Sequence, residues 1–222
     1  MPAPSPTVGA GVFVSLGSMC EPNHMLRFCG LKQATYPFDW IVSMDGEEVL
    51  EILRTDFAHF ADTRHLVVYD VGGGPLLNKR HRLEFLHEGD WRDDGFAQNM
   101  PAFQAKYRRR IARFRALREQ PGPLWFLRAS YPMSLADSDR RYRLAENLEV
   151  SDAYAQRLYD VLAGYFAGCD VRLIVVNTHD RPSIEEELPL AERILKLRVN
   201  PGLELGDKVS QHRDWFARLS AP

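Results

Sequence analysis

Gly11-Val-Phe-Val-Ser-Leu16, followed at once by Gly17-Ser18-Met19-Cys20, decides how this chain is read. A β-rich apolar run that stops at a Gly-Ser pair suits a buried strand feeding a tight turn. Downstream, Pro22, Leu26 and Cys29 recur at helical spacing. Pro22 lies where proline is accepted near a helix start and Gly30 is a plausible C-terminal stop, so a short helix is expected over about 21–29. Strand, turn and helix open an α/β sheet, and Cys20 sits on the turn.

Working outward, Asp45-Gly-Glu-Glu48 has the form of a capping box, and Val49, Ile52, Leu53, Phe57 and Phe60 then share one helical face, predicting a helix from about 46 to 60. Leu66–Tyr69 and Leu83–Leu86 read as strands separated by the turn-forming Gly72-Gly-Gly-Pro75, which lacks the lysine spacing of a phosphate loop. From about 97 to 119, Phe103, Tyr107, Ile111, Phe114 and Leu117 form an apolar stripe on a helix dense in arginine. Leu124–Leu127 and Val171–Val176 read as buried strands, joined by a helix from about 151 to 167 that Ser151 starts. A last strand is expected over 194–199, before a C-terminal helix with Trp215 and Phe216, while the polar 130–150 stretch is expected to be an excursion or lid.

Apolar strands alternating with amphipathic helices predict a single α/β domain over 11–222 after a flexible tail at 1–10, with a mostly parallel sheet between helices in a three-layer α/β/α arrangement. The 222 residues, 45% hydrophobic and 26% charged, suffice for one well-buried core. With 28 Lys plus Arg against 30 Asp plus Glu, no global basic field exists to gather nucleic acid. No secretion signal or membrane-length apolar run is apparent, so a soluble, cytoplasmic protein is expected. Cys20, Cys29 and Cys169 show no zinc-type spacing and are read as reduced thiols, with neither metal nor other cofactor expected.

Cys20 is the sharpest candidate for chemistry. A thiol after a strand and at a helix N-terminus meets unpaired backbone N–H groups and the positive dipole end, which favour thiolate. Amides of the Ser18–Glu21 turn are candidate oxyanion donors. The bland alternative is a buried structural thiol, the reading given to Cys29 and Cys169. Among the histidines, His87 ends a strand and precedes Glu88, Asp90, Asp93 and Asp94, acids able to orient an imidazole. His179, beside Asp180, and His212 are the second and third candidate bases; His24, His59, His65 and His81 are read as surface or core residues. Arg109, Arg113 and the strand-borne Arg128 form a candidate clamp for an anionic substrate, against the alternative that the basic helix is solvated or paired with acids. Cys20 and Cys29 stand about 13 Å apart by helical rise, too far for a disulfide across an intact helix.

Ser15-Leu-Gly-Ser-Met-Cys20, Leu26-Arg27, Gly30-Leu31 and Tyr36-Pro-Phe-Asp-Trp40 resemble a bacterial family of unknown function labelled as papain-like cysteine peptidases. The likeness continues through Asp56-Phe57, Phe60, Phe85-x-His87, the 106–114 helix segment and Phe126-x-Arg128. It implies Cys20 as nucleophile and His87 as base, and with a papain-like α+β fold as the alternative architecture. Asp39 of the PFDW segment is a further candidate, either capping its turn or hydrogen-bonding near Cys20. The strand–turn–nucleophile order is also similar to SGNH and GSCFA hydrolases, which would place the base near the C-terminus, at His212. The expected function is a cysteine-dependent hydrolase or acyltransferase acting on an anionic small molecule, peptide or saccharide. The rival is a non-catalytic or glycan-modifying protein binding an anionic saccharide or nucleotide, in keeping with the surface-polysaccharide setting the resemblance implies.

Overall fold

The computed structural model describes residues 11–18, 20–43, 46–68, 75–89, 91, 94–129, 150–177, 189–191 and 193–198. The opening run forms β1 (Val12–Ser15), fully buried, and α1 (Glu21–Phe28) follows the turn. Next come β2 (Val42–Ser43), α2 (Gly46–Arg54), β3 (Leu66–Val68), β4 (Leu76–Asn78) and β5 (Leu83–Phe85). They lead to α3 (Gly95–Arg115), β6 (Leu124–Ala129), α4 (Asp152–Tyr165), β7 (Val171–Asn177), β8 (Pro189–Ala191) and β9 (Ile194–Arg198).

The main sheet runs β1-β6-β7-β9-β8; its first four strands are parallel and β8 is antiparallel to β9. Such a sheet is apolar on both faces because helices cover both. On one face α1 sets Met25 and Leu26 against Phe13, Trp125, Leu127, Ile174 and Val176. The opposite face sends Val14, Phe126, Leu173 and Val175 into a larger core built with α2, α3 and α4. The expected three-layer α/β fold is therefore present, and the papain-like α+β alternative is not: the strand that feeds Cys20 belongs to the parallel sheet.

Two strands and one helix depart from expectation. The strands expected near 66–69 and 83–86 do not join the parallel sheet; they form β3 and β5 of a separate antiparallel sheet, ordered β2-β5-β4-β3. Its other members, β2 and β4, are too short to leave a periodic signal. The helix expected to reach about residue 60 ends at Arg54. Asp56 and Phe57 turn into the left-handed region (φ 49° and 62°), and the Phe57 N–H bonds the Ile52 carbonyl at 2.8 Å. Phe57 and Phe60 are buried through this turn rather than along a helical stripe, which is why the apolar spacing misleads.

Helix α4 starts where Ser151 accepts the Tyr154 N–H at 3.2 Å, as the sequence indicates. It packs on α2 at Gly46, where a Cβ would stand 2.5 Å from the Tyr154 ring; the Tyr154 hydroxyl donates to the Gly46 carbonyl at 2.9 Å. Asp45, Gly72–Gly74, the 130–149 part of the polar excursion, His179, His212 and the C-terminal helix lie outside the described residues. No helix among the described residues is long and apolar enough to cross a membrane.

Candidate active site

The turn that carries Cys20 is held by its own backbone needs. Gly17 has φ +76°, and a Cβ there would stand 3.1 Å from the Phe38 carbonyl oxygen, so glycine is required twice over. Ser18 also adopts positive φ, 92°, and is pinned from both sides: its N–H donates to Ser43 Oγ at 3.2 Å and its carbonyl accepts the Ser43 N–H at 3.1 Å. Beneath them the buried Arg128 donates to the Leu16 carbonyl (2.9 Å), Ser43 Oγ (2.6 Å) and the Ser43 carbonyl (3.0 Å). Cys20 then occupies the N-cap of α1 without capping it.

The second half arrives from the antiparallel sheet. His87 follows β5, and its Nε2 lies 3.1 Å from Cys20 Sγ across 67 residues of chain. Trp40 meets the His87 ring edge to face, centroids 5.7 Å apart, and the His24 ring in the same manner at 5.2 Å. Arg27 places its guanidinium carbon 5.8 Å from the Trp40 ring centroid. Trp40, His87, Glu88 and Arg110 line a cleft of about 330 Å³. Burial raises the Cys20 thiol above its ordinary pKa, against the thiolate tendency expected from its place at a helix start.

Residues 11–149, more than half of the chain, match the model of a protein family described as "Putative papain-like cysteine peptidase (DUF1796)". The chain belongs to this family. Its DUF1796 segment runs from β1 beyond β6 and contains both Cys20 and His87. An uncharacterized protein of Acanthamoeba polyphaga mimivirus, R408, is 28% identical over 138 residues, covering 54% of this chain and 62% of that protein. The matched region thus spans less than two thirds of the relative's length. No solved structure matches the chain.

Within the DUF1796 segment, Asp39, Ser18 and the three arginines each have neighbours of their own. Asp39 is wholly buried; its Oδ2 accepts the Tyr36 N–H at 2.6 Å and pairs with Lys32 Nζ at 2.5 Å. It caps the turn that presents Trp40, through bonds to Tyr36 and Lys32 rather than to Cys20 or His87. Burial raises its pKa, while Lys32 and the Tyr36 N–H pull the other way. The Ser18 amide, a candidate oxyanion donor, is already taken by Ser43 Oγ. The three arginines do not form one clamp. Arg128 is buried under the cysteine turn, Arg113 donates to the Thr35 carbonyl, and Arg109 is exposed on α3.

The acids after His87 also serve another purpose. Glu88 has a buried carboxylate that accepts from Lys106 Nζ (2.6 Å), the Tyr107 hydroxyl (3.0 Å) and Arg110 (3.3 Å), anchoring the His87 turn to α3. Asp90 and Asp93 fall outside the described residues, and among those described no carboxylate accepts from His87 Nδ1. Among the described residues, Trp40 is the ring that packs edge to face on the imidazole. Sequence reading gave no site role to Trp40, Lys32, Ser43 or Arg110; the PFDW segment held the signal for Trp40, but single polar residues carry none. Asn23, on the first turn of α1, is buried with neither end of its side-chain amide hydrogen-bonded. A buried amide in that state is normally satisfied by water or a bound group.

Proposed function

We propose that the chain is a cysteine-dependent hydrolase or acyltransferase in which Cys20 is the nucleophile and His87 its base. The observation that supports this reading is the 3.1 Å approach of Sγ to Nε2 at the edge of a cleft. As Sγ bonds to an acyl carbon, the thiol proton passes to Nε2. The imidazolium returns it to the leaving group as the tetrahedral intermediate collapses, and water or an acceptor alcohol or amine then releases the acyl group by the same relay. Amides of the first α1 turn and the Asn23 side chain are the donors at hand for the oxyanion. Arg110 and the exposed Arg27 beside Trp40 favour an anionic small molecule, peptide or saccharide.

The test is acylation by p-nitrophenyl acetate followed by peptide mass analysis. The expected result is an acetyl group on Cys20, absent in Cys20→Ser and formed at least about 100-fold more slowly in His87→Ala. Acetylation that ignores His87→Ala, or that falls only on Cys29 or Cys169, overturns the proposal.

A second reading, a non-catalytic protein that binds an anionic saccharide or nucleotide, is favoured by the raised thiol of Cys20. Binding of a nucleoside diphosphate or a uronic-acid oligosaccharide that survives Cys20→Ala but fails in Arg110→Ala, with no acylation in the wild type, selects it.

A further inference from the structure

His81 stands in the turn between β4 and β5 with no solvent exposure. The turn is rigid: the Asn78 side-chain oxygen accepts the N–H groups of both Arg80 and His81 at 3.0 Å, and its nitrogen donates to the carbonyls of His59 and Phe60 at 2.9 and 3.0 Å. The His81 Nε2 lies 3.0 Å from the Ala58 carbonyl oxygen, which only accepts. Nε2 therefore carries hydrogen, and in the neutral ring Nδ1 presents a lone pair. That Nδ1 is buried without a hydrogen-bond partner, and Glu48 Oε2 lies 3.9 Å from it. Glu51, three residues along α2 on the same helical face, brings a second carboxylate, and the donor atoms of all three residues lie within 4.8 Å of one another.

A lone pair facing two carboxylates is repulsive unless a cation lies between them. A histidine held through Nε2–H by a backbone carbonyl, with Nδ1 open toward carboxylates, has the orientation that metal-ligating imidazoles adopt. Metal bonds of about 2.1 Å set tetrahedral donors roughly 3.4 Å apart, so closing this cluster asks only for small side-chain movements.

We infer that Glu48, Glu51 and His81 form a divalent transition-metal site that ties α2 to the β4–β5 turn. One imidazole and two carboxylates suit zinc or manganese. A second cluster, His59, Asp62 and His65, has similar spacing, but Arg64 donates to both oxygens of its carboxylate, from Nε at 3.0 and 3.1 Å and from the terminal nitrogen at 2.6 Å, whereas Arg80 donates to one oxygen of Glu51 at 3.1 Å.

The experiment uses the full chain carrying Cys20→Ser, so that the thiol–imidazole pair does not take up metal, after chelator treatment. Zn2+ binding is measured by competition with a chromophoric chelator. One equivalent is expected, with affinity reduced at least about ten-fold in Glu48→Gln and in the half-buried Glu51→Gln, and unchanged in His65→Gln. Zn2+ should also raise the melting temperature of the parent and not of Glu51→Gln. Absence of stoichiometric binding, or binding that withstands the two glutamate changes and is lost in His65→Gln, overturns the inference.

Discussion

Cys20 meets two opposing influences, the positive end of α1 and its own burial, and burial raises the thiol's pKa. With its pKa raised only in the folded chain, native protein binds the thiol proton more tightly than unfolded protein. That contribution to stability is complete below the unfolded value and is lost as pH rises through the folded one. Denaturant midpoints taken from pH 7 to pH 10 should fall more in the wild type than in Cys20→Ser, whose hydroxyl does not titrate there. At neutral pH, Cys20 should react with iodoacetamide several-fold more slowly in the folded chain than in urea; the reverse order would mean that the helix terminus controls the thiol. Gly17 sets the position of that sulfur. Gly17→Ala forces a side chain into a left-handed backbone and against the Phe38 carbonyl, and should cost about 1–2 kcal/mol in urea unfolding while slowing Cys20 acylation.

At the scale of elements, charged side chains mostly serve to fasten one segment to another. Helix α3 carries the basic stripe, yet Lys106 and Arg110 hold Glu88, and Arg115 holds Asp56. The buried Lys32–Asp39 pair shapes the turn that delivers Trp40, with Lys32 losing basicity to burial and Asp39 opposing that loss. Removing one partner of such a pair strands the other charge, so Lys32→Met should lose about 3–5 kcal/mol by chemical denaturation, and adding Asp39→Leu should recover much of it. Strand–turn–cysteine order, the helices around the core and the His87 candidate were legible because apolar period and strand-end position are local signals. The Ser43–Arg128 clasp was not, because it joins residues 85 apart, and an arginine on a strand reads equally as a ligand or as a brace. Arg128→Met should show it to be a brace: Ser43 and the Leu16 carbonyl lose their donor, stability falls by about 2–4 kcal/mol, and Cys20 acylation slows in proportion to the misplaced turn.

For the molecule as a whole, the parallel sheet and the antiparallel sheet share one core of aromatic rings: Phe38, Phe60, Phe85, Tyr107 and Phe114 belong to the same buried cluster as Val14 and Phe126. The family match ends at residue 149, so β7, β9 and β8 complete a sheet whose β1 edge, next to the candidate site, belongs to the earlier segment. Sulfur comes from one sheet and imidazole from the other, and neither sheet alone contains a reactive pair. The site is therefore also a clock for folding. During refolding, each half can form its own hydrogen bonds early, but the contact between residues 20 and 87 closes only when the two have docked. On the proposed mechanism, Cys20 gains its base only once the two sheets have docked, so a partly folded chain lacks the Cys20–His87 relay.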